Sequence, residues 1–406
     1  MKTLAVTGGG CCGPRTSPGA NAVSVPGEIR TEPDVLRVVE IGRGNSAFTK
    51  TFLDLLDERH AVYRGVGTPA VVRMRGALLL ALGHCALPVT ALPFVLEELE
   101  SPHDAWLTAA AAHVLRKFPE PSPAFTEPLL SALFNIRHRD EIVRLPHDGR
   151  DTPAGATTTA ATEVIRTIGW LGRAGMSCVP RLEALLARNP GPSTSAMVTR
   201  AIEAIRSDDD QNVPADAWND EDTATAVASS STPDISWVRF QDHSGAELTF
   251  ADAFQGRPSI VVFFYTRCDN PMKCPLTMYR FGNLQRLLEQ SGLGEAIGMA
   301  AITYDPEYDR AERLLQYAES WGVKPSAMHR ILRTVGDFAS VSDYFALGVN
   351  FSASGIVNRH RLEAFVLDKS GRIAHVLARR RWDAAELVQL AAPLVNSGRR
   401  AGLRSE

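Results

Sequence analysis

The run Val261-Val262-Phe263-Phe264-Tyr265-Thr266 leads straight into Arg267-Cys268-Asp269-Asn270-Pro271-Met272-Lys273-Cys274-Pro275. An uncharged stretch of β-branched and aromatic residues reads as a buried strand. It brings two cysteines and a proline to the point where a helix begins. Free amides at a helix start, together with the positive end of the helix dipole, favour thiolate over thiol. The position therefore suits metal binding or thiol–disulfide exchange.

The residues around this segment alternate in type from residue 234 onward. Glu247–Phe250 and Ser259–Phe264 read as strands and Leu276–Leu288 as a helix; Gly298–Tyr304 reads as a strand and Arg310–Trp321 as a helix. Arg330-Ile331-Leu332 and a short helix near Val341–Phe345 follow. A hairpin over Ala364–His375 turns at Asp368–Gly371, and a last helix spans about Asp383–Val395. The order βαβα then ββα predicts a thioredoxin-like α/β domain over 234–398, with a short tail at 399–406.

The first half of the chain differs. Residues 1–32 are rich in Gly, Pro, Ser and Thr and read as an arm, with Cys11-Cys12 as their one chemical feature. Over 33–206 the pattern is helical and repeats. Small-residue segments at 77–83, 109–115, 163–169 and 200–205 alternate with leucine-rich amphipathic ones at 92–99, 126–133 and 180–186. Small residues allow close helix approach while leucines cover the apolar stripe, so the region resembles a HEAT-like α-solenoid. The segment 144–155 interrupts it as a loop. His84, Cys85, His113 and Cys178 fall on helices or at a helix start, where a buried thiol and a satisfied imidazole are ordinary. No acid, base and nucleophile converge there. An interaction scaffold is the expected role.

Residues 207–233, with Ser207-Asp208-Asp209-Asp210 and Ala228-Ser229-Ser230-Ser231, read as an acidic, Ser-rich linker. The fold class expected is thus α + α/β multidomain. With 45% hydrophobic residues and a formal net charge of −3, the chain has material for real cores and no electrostatic case for nucleic acid. No segment approaches the length of a membrane span, and Leu4-Ala5-Val6 is too short for a signal h-region, so a cytoplasmic protein is expected. Six cysteines in a chain of this size do not resemble a secreted disulfide scaffold.

Phe264-Tyr265-Thr266-Arg267-Cys268 with Cys274-Pro275-Leu276-Thr277-Met278, then Tyr304-Asp305-Pro306-Glu307-Tyr308-Asp309, then His360 ahead of Phe365–Ile373, resemble the Sco/SenC family of copper-binding thioredoxin-like proteins. The resemblance covers about 234–398 and implies a copper site formed by Cys268, Cys274 and His360. The family usually has three residues between its cysteines, and here there are five. Its members are usually membrane-anchored or exported. The donor chemistry agrees: two thiolates and an imidazole suit Cu(I), and an added ligand accommodates Cu(II). His360 is expected on a flexible loop facing the cysteines. Met272 and Met278 lie near as thioethers but read as core. His243 and His375 stand outside the ligand set, and Arg267 and Asp269 read as a solvated ion pair.

The expected function is delivery of copper to, or redox tuning of the thiols of, a client protein recruited by the helical repeats. Two alternatives remain open: a copper-dependent oxidative enzyme acting on a small molecule or peptide, and a thiol–disulfide oxidoreductase in which Cys268 and Cys274 are the redox pair. The separate histidine and the missing C-x-x-C favour metal over disulfide exchange.

Overall fold

A computed structural model describes residues 28–84, 87–145, 157–207, 225–226 and 233–396. Cys11, Cys12, Cys85, most of the 144–155 loop, most of the linker and the tail lie outside the described residues.

The first part is built of helices α1 (Glu32–Gly42), α2 (Thr49–Leu56), α3 (Thr68–Gly83), α4 (Leu92–Glu100), α5 (Ala105–Leu115), α6 (Thr126–Ile136), α7 (Ala160–Trp170), α8 (Val179–Ala187) and α9 (Pro192–Ser207). Their starts follow the chemistry of helix N-termini. Thr31 and Asp34 form a reciprocal capping box on α1, Asp104 accepts from Leu107 N at 2.8 Å on α5, and Thr159 accepts from Thr162 N at 3.2 Å on α7. The small-residue helices stack in chain order, α3 on α5, α5 on α7 and α7 on α9, and α4 and α6 form a second layer against them. Gly169 shows why small residues are needed: a Cβ there would lie 3.3 Å from the Cα of Ala201 on α9. Between α6 and α7, strands β1 (Ile142–Arg144) and β2 (Thr157–Thr159) pair antiparallel.

The second part centres on an eight-stranded sheet. Its strands are β3 (Thr225–Ala226), β4 (Arg239–Asp242), β5 (Glu247–Thr249), β6 (Ser259–Phe264), β7 (Gly298–Thr303), β8 (His329–Thr334), β11 (Glu363–Leu367) and β12 (Ile373–Ala378), in the order β3-β12-β11-β6-β7-β8-β4-β5. The short strands β9 (Val349–Phe351) and β10 (Val357–His360) form a separate hairpin. Within this sheet, among the described residues, β6–β7 and β7–β8 are the parallel pairs. All residues of β6 and β7 are buried, as strands covered on both faces must be. Helices α10 (Phe250–Phe254), α11 (Cys274–Gln290), α12 (Ala311–Ser320), α13 (Phe338–Tyr344) and α14 (Ala384–Asn396) complete a thioredoxin-like fold, with α11 and α14 packed together beside β6.

Each part has its own apolar core, one running from Val35 to Ile205 and the other from Ile235 to Ala391. Sequence patterning gives no sign of how the two meet. They join through buried charge. Glu58, after α2, takes Arg379 at 2.6 Å, Arg75 at 2.9 Å and Arg359 at 3.4 Å. Glu98 on α4 takes Arg75 at 3.0 Å and Arg359 at 2.5 Å. Arg379 also lies over the Phe94 ring at 3.9 Å. Desolvated charges of this kind hold only when nearly every donor and acceptor is matched, so the network fixes one docking geometry.

Candidate metal centre

Strand register brings the candidate ligands together. On β11, Ala364 pairs with Val262 and Leu367 with Ser259, antiparallel to β6. Following that register back from β11 carries residue 360 to the level of the loop just past the end of β6. Cys268 lies in that loop, and Cys274 is the first residue of α11, with Pro275 in its first turn. His360 is the last residue of β10, paired with Val349, and is buried. The expectation of a flexible loop at His360 is corrected: hairpin pairing and aromatic packing hold it. Its ring lies 5.1 Å from that of Tyr304 and 5.7 Å from that of Tyr265.

The Sγ atoms of Cys268 and Cys274 and a ring nitrogen of His360 all lie within 4.8 Å of one another. Nε2 of His360 is 3.3 Å from Sγ of Cys274 and 3.8 Å from Sγ of Cys268. The other ring nitrogen, Nδ1, is 3.1 Å from the carbonyl oxygen of Arg361. A carbonyl only accepts, so Nδ1 carries the proton and Nε2 turns a lone pair toward the sulfurs. The two thiols are driven apart in acidity. A hydrogen bond from Cys274, aided by His360, holds the Cys268 thiol far below its ordinary range, while burial pushes Cys274 well above it. Cys268 is the half-buried member and Cys274 the fully buried one.

The motif at 304–309 holds the cysteine loop. Asp309, fully buried, accepts from Thr303 Oγ1 at 2.5 Å, from Thr266 N at 3.1 Å and from the Thr266 hydroxyl. Asp305 pairs with Arg267, whose guanidinium stacks 4.0 Å over Tyr308. Arg267 and Asp269 therefore do not pair with each other as expected. Asp269 instead meets His103 of the helical part, at 3.3 Å. Tyr304 donates to Glu363 at 2.8 Å.

The extra length between the cysteines makes contacts with the helical part. Asn270 Nδ2 donates to the carbonyl of Ser101 at 3.0 Å. Lys273, buried, lies 3.5 Å from Glu97 and also donates to the carbonyl of His360. Glu97 in turn accepts from Leu362 N at 3.1 Å and from Arg379 at 3.1 Å. Sequence pattern names none of these partners. The signal available was the pair of polar residues, Asn270 and Lys273, inside the longer spacer.

The remaining candidates sit elsewhere. Met278 is in the apolar core, and His375 is half-buried on β12. His84 Nδ1 bonds the carbonyl of Leu80 at 2.7 Å, and His113 contacts Arg116 and Glu163. Cys178 is fully buried, and that burial pushes its thiol up to about 12.

Between the two parts lies a cavity of about 420 Å³. Cys268 and His360 line it, along with Val72 and Leu107 from the helical part and Ile356 and Val357 from the other. Cys274 does not. A larger hollow of about 970 Å³, beside Phe250 and Tyr344, contains none of the three candidate ligands.

The two thiols thus sit between a buried strand and a helix start, and the separate β9–β10 hairpin delivers the histidine. Residues 236–395 match the SCO1/SenC family model. No curated protein matches the chain. Solved structures similar to part of this chain include ScoI from Bradyrhizobium japonicum with copper bound, at 19% identity over 38% of this chain and 94% of that one, TM-score 0.30. Arabidopsis thaliana ScoI with copper bound gives 16% identity over 41% and 99%, TM-score 0.31. Yeast Sco1 gives 24% over 39% and 92%, TM-score 0.30. Among the described residues, no helix is long and apolar enough to cross a membrane.

Proposed function

We propose that the SCO1/SenC region binds one copper ion through Cys268, Cys274 and His360. The observation that carries this is the convergence of two sulfurs and an imidazole Nε2 within 4.8 Å, with Nδ1 tied to the Arg361 carbonyl so that the second nitrogen faces the sulfurs. The donor set fits: thiolates and a neutral imidazole are soft-to-borderline ligands suited to Cu(I), and thiolate-bound copper can be passed on or can cycle one electron. The strengthened acidity of the Cys268 thiol supplies one ready thiolate.

On this reading the chain delivers copper to a client, or tunes the redox state of its thiols, and the HEAT-like repeats recruit that client. The packing of the helical part adds a condition. Incoming groups reach Cys268 through the cavity between the parts, or after the two parts separate. The same cavity favours a second reading, copper-dependent oxidation of a small molecule, because it has room for a ligand beside the half-buried Cys268.

Copper titration of the full chain tests the site. The expected result is about one copper per chain, with Cys268→Ser, Cys274→Ser and His360→Ala each losing affinity. Unchanged stoichiometry and affinity in all three variants would overturn the assignment.

A further inference from the structure

The cavity between the helical part and the SCO1/SenC region touches two of the three proposed ligands and belongs to neither part alone. Cys268 and His360 face it, whereas Cys274 is sealed behind them. A metal held by the three would therefore present its open side to this space. The basic side chains around the cavity each have a carboxylate partner: Arg75 and Arg359 with Glu58 and Glu98, Arg267 with Asp305, and Lys273 with Glu97. Among the described residues, no lining arginine or lysine is left unpaired to select an anionic ligand. Val71, Val72, Leu107, Ile356 and Val357 supply the apolar surface.

Resting on the copper reading above, we propose that this cavity binds an uncharged, low-molecular-weight thiol with an apolar body, its sulfur completing the metal's ligand set. The apolar walls select the body of the molecule, and a centre of two sulfurs and one imidazole selects a soft donor. On binding, the thiol S–H bond breaks, its proton passes to water and a sulfur–copper bond forms. No electron is transferred in this step. A volume of about 420 Å³ holds a small aromatic thiol and excludes a folded protein surface, so the occupant is a small molecule.

The experiment uses the full chain loaded with Cu(I) without oxygen, and benzyl mercaptan as the probe. X-ray absorption counts sulfur neighbours of copper, and calorimetry gives the thiol affinity. The copper content is read before any thiol is added; absence of copper there overturns the proposed function and this inference with it. With copper bound, sulfur neighbours rise from two to three on adding the thiol. Val72→Trp on the helical side and Ile356→Trp on the other each fill the cavity and weaken thiol binding at least about tenfold, while copper stays at one per chain. Two sulfur neighbours throughout, equal thiol affinity in both folded variants, or copper stripped from the chain overturns the inference and leaves the copper site standing.

Discussion

Glu97 of the helical part and Lys273 of the cysteine loop form a buried ion pair, Oε1 to Nζ at 3.5 Å. The same carboxylate receives Leu362 N, and the same ammonium donates to the carbonyl of His360. One side chain thus steadies both segments that carry candidate ligands.

Removing it leaves Lys273 and Arg379 buried with lost partners. Glu97→Ala is expected to cost about 3–5 kcal/mol, the usual range for breaking a buried pair from one side. Glu97→Gln, which keeps the shape and one acceptor, costs less. Urea unfolding measures both, and copper affinity should fall alongside stability. Loss of under about 1 kcal/mol in the alanine variant would show that the pair is not a joint between the parts.

Asp309 holds the strand end before the cysteines. Asp309→Ala strands the buried Thr303 hydroxyl and the Thr266 amide, costing about 1–3 kcal/mol for each group left unsatisfied. Copper affinity is expected to fall too, because Thr266 lies two residues before Cys268. Thermal unfolding and metal competition, run on the same preparation, check the two effects.

Alkylation separates the cysteines. Cys268 has its thiol acidity strengthened and is half-buried, whereas Cys274 is buried and its thiol is weakened. Metal-free protein treated with iodoacetamide at pH 6 should label Cys268 and spare Cys274, with a Cys268 rate nearly flat from pH 6 to 8. Peptide mapping by mass spectrometry reads this out. Equal labelling of both, or a Cys268 rate rising tenfold per pH unit, contradicts it.

Acid should loosen the join between the parts. Burial alone would raise the Glu58 carboxyl, but Arg379, Arg75 and Arg359 outweigh it and hold it well below the usual range; Glu97 is lowered likewise with Lys273 and Arg379 beside it. Carboxylates depressed in the folded state stabilise it above their unfolded value, about 4.3, and that stability is lost as pH falls below it through the folded value. The unfolding midpoint should therefore drop steeply below about pH 4.3. In Glu58→Gln the midpoint should start lower at neutral pH and depend less on acid. A variant with the wild-type acid slope would remove Glu58 from the account.

Legibility in the sequence followed the range of the forces involved. Strand β6, helix α11 and the β11–β12 hairpin are written in local patterns: an apolar run, a proline after Cys274 and the turn Asp368–Gly371. Cys268 and Cys274 stand out as two thiols at a strand end, His360 joins them only through the resemblance to the Sco/SenC family, and the motif 304–309 shows its purpose only in the structure, as the anchor of Thr266 and Arg267. His360 looked like a loop residue because β9 and β10 are too short to announce themselves. The join between the parts was invisible. Glu58 sits in a turn after α2 and Glu97 and Glu98 on α4, and their partners Arg359 and Arg379 lie more than 250 positions away. Nothing in one-dimensional pattern distinguishes a glutamate in a buried network from one in water.

The five residues between the cysteines have a mechanical consequence. Asn270 and Lys273 are tethered to Ser101 and Glu97, and Glu97 grips Leu362 on the histidine side. Pulling the helical layer away would tug on both jaws of the site at once. Opening the protein would, in the same movement, relax its hold on any ion the three residues carry.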